Sequence, residues 1–494
     1  MLLFLIGIFF LLQIPLIDKV PRIMLDEPWY ANTGWNFSIG NGFTNTVPGS
    51  QGGDYLFLFT FLLGIAFKLF DASLLTARMV SVIGGLLGLL GFIWVLKELK
   101  IKSNLVIILC SFLFIFSNVN YIIFRSVRPE SWVVALGLWA LYFLIKAYKD
   151  ENNVNYFIGG LFSFASFLCH PNGAIYVLLF GIIILVISYT QKNFFPVLFF
   201  IIGNALMSII LLYNILYIRQ ETPLEFFNEL VQQGNRLSIS NGILTGLLIN
   251  INTFFITYTL GIKRLFIIIF ELGVLSYGLF YIKKNKYIFA ISVLGLSYFI
   301  IAMVFLSPFS ARGFSEVLIF SFITFAILLD YHGVYNKNIY KYFVTAGILY
   351  LGNNITGDLY LIWRDKNNTS YSTIEKRIEK IIPSDNNVLT FLNFWFPLKY
   401  SNNYNDFTRW NKTEYENLDD FIINGETDFV VISDYLAQGK TSVSGRPEPR
   451  LNFQTEFYNK LQNYAKKNGK LIELLKTKGY SDIQIWKIQG YRNL

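Results

Sequence analysis

Apolar runs recur along the first three quarters of the chain, separated by short polar connections, and stop at about Trp363. The pattern predicts about eleven membrane-spanning helices. They fall near Met1–Ile17, Leu74–Leu96, Leu105–Tyr121, Trp132–Ile145, Tyr156–Cys169, Gly173–Thr190, Phe194–Tyr217, Leu265–Ile282, Tyr287–Leu306, Glu316–Tyr331 and Ile339–Trp363. Several are shorter than the ~20 residues a bilayer asks for, which suits helices packed inside a bundle. The N-terminus, MLLFLIGIFFLLQIPLI, lacks a basic leader and a small-residue cleavage site before Asp18, so it reads as a retained helix. Gly242–Leu260 is apolar enough for one more span, but Asn250, Asn252 and its threonines suit a helix lying in the interface.

After Trp363 the pattern changes to short mixed segments. Asn387–Leu392, Asp428–Ser433 and Ile483–Ile488 read as strands, and Glu414–Ile423 and Thr455–Lys467 as helices. The chain therefore divides into a helical membrane unit, residues 1–363 with a large first loop over 18–73, and an α/β unit, residues 364–494. Its role, whether binding, lid or packing, is open at this level.

Composition supports the membrane reading. Of 494 residues, 54% are hydrophobic and 15% charged, and mean hydropathy is +0.47, outside the range of soluble domains. The net charge of +9 is spread over short loops, which excludes a basic nucleic-acid face. Lys97, Lys100, Lys102, Lys146, Lys149, Lys192, Lys283, Lys284, Lys286, Lys337 and Lys341 occupy alternate connections, and by the positive-inside rule these face the cytoplasm. The opposite connections, including 18–73 and everything after Trp363, then face outward. Cys110 and Cys169 both lie in apolar segments, which excludes a disulfide framework and a cysteine-based zinc site.

Candidate chemistry begins in the first outer loop, where Asp26 and Glu27 precede Pro28 and the aromatic stretch WYANTGWNF. Pro28 marks a helix start, and carboxylates at a helix N-terminus are stabilised as anions, able to take a proton or hold a cation. Simple capping of an interfacial helix accounts for the pair equally well.

DEPWYA, Asp26–Ala31, resembles the Asp-Glu motif in the first outer loop of the GT-C glycosyltransferases, particularly the protein O-mannosyltransferases and the lipid A aminoarabinose transferases. Gly53–Leu90 is similar to the family's second loop segment and helix, an aromatic amphipathic stretch before an Arg that opens the next span; Arg78 would be that Arg. The resemblance implies a multi-helix enzyme of GT-C-like fold that transfers a sugar from a polyprenyl phosphate on the outer face, with Asp26 as catalytic base and Glu27 beside it. One segment differs: GGDYLF, Gly52–Phe57, stands where the aminoarabinose transferases carry Lys-Pro-Pro-Leu, which argues against aminoarabinose and against a Lys as phosphate contact.

RSVRPE places Arg125, Arg128 and Glu130 at a membrane boundary, similar to the family's Arg-Pro-Asp segment. Arg128 offers a bidentate fork to phosphate, and Glu130 can orient it or share a magnesium or manganese ion with Asp26. Arginines snorkelling to lipid headgroups are the alternative. His170 in CHPNGA takes the place of a family basic residue and suits phosphate contact, a metal or capping; the other histidine, His332, falls on the cytoplasmic side and is expected to be inert. Asp54, Tyr55, Lys263, Arg264 and Arg312 project from outer ends of spans, where a lipid phosphate would lie.

The expected reaction is inverting transfer from a polyprenyl-phosphate sugar to a lipid, glycan or protein hydroxyl. A transporter or flippase of polyprenyl-linked glycans, or a glycan polymerase or ligase, is the competing reading. High Asn, Ile, Lys and Phe usage suggests an AT-rich genome and hence a bacterial cytoplasmic membrane.

Overall fold

The computed structural model describes residues 1–24, 26–46, 56–226, 228, 244–251, 262–305, 313–401, 403–406, 426–433 and 452–488. A helix stands at each of the eleven positions that the apolar pattern marks. These are α1 (Leu2–Gln13), α4 (Leu74–Glu98), the pair α5 (Asn104–Phe116) and α6 (Asn118–Phe124), α7 (Glu130–Asp150), α8 (Asn153–Cys169), α9 (Gly173–Gln191) and α10 (Phe195–Tyr213). After them come α11 (Ile262–Gly278), α12 (Lys286–Phe305), α13 (Ser315–Tyr335) and α14 (Lys337–Asp365). Six of these helices (α4, α7, α9, α10 with its extension to Ile218, α12 and α13) are long and apolar enough to cross a bilayer. The pair α5–α6 makes a seventh if counted as one span; it bends by 61° at Ser117, where Asn118 N–H finds Asn354 Oδ1 at 2.9 Å instead of continuing the helix.

α1 has only 12 residues, about 18 Å of rise, because Pro15 ends it. The chain beyond it is held by two buried arginines. Arg125 donates to the carbonyls of Leu12, Gln13, Pro15 and Val20 at 2.6–2.9 Å, and Arg78 to those of Ile17 and Pro21 at 2.5 and 2.9 Å. Carbonyls left over at a helix C-terminus are thus satisfied by cations, which also suit the negative end of the helix dipole.

Two helices stand inside the predicted first loop: α2 (Asp26–Ser38) and α3 (Leu58–Phe70). Of the segment Gly242–Leu260, residues 244–251 are helical, Asn250 donating to Met303 O at 2.8 Å, and the remainder lies outside the described residues.

The C-terminal unit contains α15 (Tyr371–Ile381), β1 (Asn387–Thr390), β2 (Asn403–Asp406), β3 (Phe429–Ser433), α16 (Asn452–Asn468), β4 (Gly469–Leu475) and β5 (Ile483–Ile488). The sheet order is β2-β1-β3-β5-β4, with β1 parallel to both neighbours and the β3–β5 and β5–β4 pairs antiparallel. The strands expected at 387, 428 and 483 and the helix at 455 are present; the helix expected over Glu414–Ile423 lies outside the described residues. β2, β4 and α15 went unmarked by the sequence pattern.

Two cores result. One fills the helix bundle around α13, where Val317–Leu329 is buried without a break. The other joins Ile23, Ala31, Phe59, Leu63 and Ala77 to Tyr371, Ile378, Trp395 and Val430, so α2, α3 and the start of α4 share one apolar interior with the sheet. The segment carrying Asp26 is therefore sandwiched between bundle and sheet.

Candidate active site

Asp26 and Glu27 open α2, and the structure gives them opposite environments. The Glu27 carboxylate is fully buried and accepts four hydrogen bonds: Arg78 Nε at 2.9 Å and Nη2 at 2.7 Å, Met24 N–H at 2.9 Å and Val127 N–H at 2.9 Å. Every strong acceptor direction is thereby taken by fixed donors. Asp26 keeps a side chain 35% exposed and meets Nη1 of Arg128 through Oδ2. Glu27, expected to share the chemistry with Asp26, ties α2 to α4 and to the loop before α7. Arg78, expected from the resemblance among the donor and phosphate contacts, lies in a dry pocket with its donors on Glu27, Ile17 and Pro21.

Arg128 and Glu130 sit where a proline turn starts α7. Pro129 precedes the first turn with φ −67°, ready-made for a helix start. The Arg128 backbone is pinned by Ser81, whose Oγ exchanges hydrogen bonds with its N–H and C=O at 3.3 and 3.4 Å. The guanidinium forks onto Glu130, Nε to Oε2 at 3.2 Å and Nη2 to Oε1 at 2.7 Å, while Nη1 reaches Asp26. Burial alone would lower the Arg128 pKa, but the charges of Glu130 and Asp26 outweigh it and hold the group well above the ordinary arginine range. The result is a permanently charged, planar cation wedged between two carboxylates, one of them open to solvent.

Asp26 and Glu130, which the sequence offers to a shared magnesium or manganese ion, grip Arg128 instead, and the position between them is filled by its guanidinium. Among the described residues no three carboxylate, imidazole or thiolate side chains converge.

His170 caps α8 with Nδ1 accepting from Asn172 N–H at 3.3 Å. The Asn172 amide passes on to Glu316, at 3.2 and 3.3 Å from its two carboxylate oxygens, and Tyr298 Oη donates to Glu316 Oε2 at 3.2 Å. Glu316 is fully buried in the first turn of α13, within electrostatic reach of Glu130. Sequence reasoning passed over it; the signal is an acid placed at the very start of an otherwise apolar span. Asp54, Tyr55 and Arg312 lie outside the described residues, as do the side chains of Lys263 and Arg264. Arg125, grouped by sequence with Arg128 at the membrane boundary, is buried, stacks on Tyr121 at 4.8 Å and spends its donors on backbone carbonyls. His332, expected to be inert, has its Nε2 2.5 Å from Tyr281 Oη in a buried aromatic cluster.

No model of a known protein family matches the sequence, and no curated protein matches it. The fold matches solved structures. ArnT from Cupriavidus metallidurans bound to undecaprenyl phosphate superposes with a TM-score of 0.65 at 11% identity, covering 98% of this chain and 97% of that one. Its apo state gives 0.65 at 10% identity with the same coverage. The Archaeoglobus fulgidus oligosaccharyltransferase, in complex with zinc and sulfate, gives 0.50 at 13% identity over 92% of this chain and 70% of that one. Membrane helices, first-loop helices and C-terminal sheet are all included in the superposition on ArnT, and the chain has the fold of the GT-C glycosyltransferases.

Proposed function

We propose that the protein is a membrane glycosyltransferase that takes a sugar from a polyprenyl phosphate and gives it to a hydroxyl acceptor. One observation carries the reading: a partly exposed carboxylate at a helix N-terminus, Asp26, shares a buried and permanently charged guanidinium, Arg128, with Glu130. Capture of the ArnT neighbour with undecaprenyl phosphate, the species such a donor leaves behind, supports the same class of ligand.

The chemistry needs a base for the acceptor proton and a cation for the leaving phosphate. As the acceptor oxygen attacks the anomeric carbon, its proton passes to Asp26, and the bond from that carbon to the phosphate oxygen breaks with its electron pair on phosphate. Arg128 stabilises the phosphate dianion, taking it as a ligand in place of Asp26 while Glu130 keeps the guanidinium plane fixed. Attack opposite the leaving group gives inversion. His170 and Arg312 are carried as phosphate contacts, with Asp54 and Tyr55 beside the donor. The site faces outward, with residues 364–494 on the same side and the lysine-rich loops in the cytoplasm of a bacterial inner membrane.

The test is release of polyprenyl phosphate from a panel of polyprenyl-phosphate sugars by purified protein in nanodiscs. Release by wild type and its loss in Asp26→Asn is the expected result. A flippase would still move lipid after that substitution, and absence of release from every donor overturns the reading.

A further inference from the structure

Residues 14–24, which follow α1, form no helix or strand, yet they lead to Asp26. From the bundle side Arg78 and Arg125 hold carbonyls of this stretch. From the other side the C-terminal unit takes hold of it at positions more than 350 residues away in sequence. Ile23 N–H donates to Tyr480 Oη at 3.3 Å and Ile23 C=O accepts from Asn393 Nδ2 at 3.3 Å, so both backbone polar groups of Ile23 are claimed by that unit. Arg22 Nη1 donates to Gly479 O at 3.0 Å, and Tyr371 N–H donates to Asp18 O at 3.3 Å.

The two gripping residues are themselves fixed. Tyr371 Oη donates to Asn393 O at 2.5 Å. Tyr480 sits in the β4–β5 turn, 2% exposed, with its carbonyl accepting from Ser433 Oγ. That turn is tied to the end of α14 by Thr369 N–H to Lys478 O and Lys478 N–H to Thr369 Oγ1, both at 2.9 Å. Gly479 takes φ +90° there, and a Cβ on it would stand 2.4 Å from Asn368 Oδ1.

We propose that the C-terminal unit is a positioning element of the active site, with Tyr480 and Asn393 setting the path of Ile23 and through it the aim of Asp26 three residues on; this rests on the glycosyltransferase reading. A sheet that merely covered the bundle would bury side chains. Here both backbone groups of the residue leading into α2 are bound by side chains of that unit, so the path of the segment follows the unit's placement. The unit acts on the reacting carboxylate without touching substrate, so its loss affects alignment more than affinity.

The experiment compares full-length wild type, Tyr480→Phe, Asn393→Ala and Arg377→Ala in nanodiscs, by amide hydrogen exchange over residues 18–27 and by kcat and KM for lipid phosphate release. Arg377 pairs with Glu473 on an exposed face of the same unit, away from the segment, and serves as the control. Tyr480→Phe keeps the ring and removes the hydroxyl that accepts from Ile23 N–H, so it should fold. Leaving one buried amide unpaired supports an expectation of about a tenfold fall in kcat with KM within about twofold, and faster exchange over 18–27. Arg377→Ala should change neither. Unchanged exchange in both Tyr480→Phe and Asn393→Ala overturns the proposal, as does an equal kcat loss in the control. If wild type releases no phosphate from any donor, the glycosyltransferase reading fails while the exchange arm still decides whether the C-terminal unit holds the segment.

Discussion

Two adjacent carboxylates with opposite surroundings make a sharp prediction about which one the fold depends on. Glu27→Ala removes the partner of a fully buried arginine and leaves Arg78 with only the Ile17 and Pro21 carbonyls. Breaking a buried pair by deleting one member costs about 3–5 kcal/mol. The amides of Met24 and Val127 lose their acceptor too, at roughly 1–3 kcal/mol each, and since all four donors converge on one group the losses overlap. A total near 5 kcal/mol rivals the ~5–15 kcal/mol stability of a typical domain. Asp26→Asn differs in kind. Asp26 is 35% exposed, Arg128 keeps its fork on Glu130, and asparagine still offers an acceptor, so about 1 kcal/mol or less is at stake. The assay is the temperature at which half the detergent-solubilised protein ceases to run as a monodisperse peak, alongside donor turnover. Glu27→Ala should lose most of its folded yield, Glu27→Gln should melt well below wild type, and Asp26→Asn should melt near wild type with turnover down by at least about 10²-fold. A Glu27→Gln protein of wild-type stability without turnover would refute the reasoning, because it would make Glu27 a reacting group.

Three further outcomes follow from the same geometry. Arg125→Lys replaces a planar fork serving four carbonyls by a single ammonium, and should lower stability by about 3 kcal/mol while leaving donor KM unchanged, measured by the same melting and turnover assays. Gly203→Ala would put a Cβ 2.2 Å from Phe157 O where α8 and α10 meet backbone to backbone, and should cost about 1–3 kcal/mol in spite of alanine's better helix propensity. Glu375 on α15 is raised to about 7, chiefly by burial and also by Glu379 and Asp71, with Lys399 pulling the other way. Its folded value lies above the ~4.3 of an unfolded chain, so the stability it contributes is complete below about pH 4 and lost as pH rises through 7. Glu375→Gln should therefore gain on wild type between pH 5 and 8, by about 2 kcal/mol in melting experiments across that range; a difference independent of pH refutes the assignment.

How much of this was written in the sequence depends on whether a feature is local. Apolar runs report burial in a membrane directly, and all eleven helices follow from them. α2 was marked at its start by Pro28, whereas α3, with 13 residues, is too short for a span and was left inside the loop; its buried face packs into the interior shared with the sheet. β2 and β4 were missed for the reason edge strands usually are. They border the sheet, and β4 has exposed Leu471, Ile472 and Leu474, so neither alternation nor an apolar run marks it.

The site divides the same way. That an acidic pair and an Arg-Pro-Glu turn meet was legible, since both motifs sit at the same ends of neighbouring spans, and Arg128 does reach Asp26. What each arginine does was not. Arg78, Arg125 and Arg128 are all interfacial arginines near carboxylates by sequence, and the phosphate role suits each equally. Their fates part through the backbone between residues 12 and 27. It runs irregularly through a dry space between bundle and sheet, and irregular buried backbone must find donors for its carbonyls. Six of those carbonyls are met by Arg78 and Arg125, whose long stems reach across where no secondary structure can. Arg128 binds no carbonyl of that stretch and pairs instead with two carboxylates, of which Asp26 is 35% exposed. An arginine near a catalytic acid is thus as readily a splint for the loop that presents the acid as a ligand for the substrate, and the number of unpaired carbonyls around it decides which.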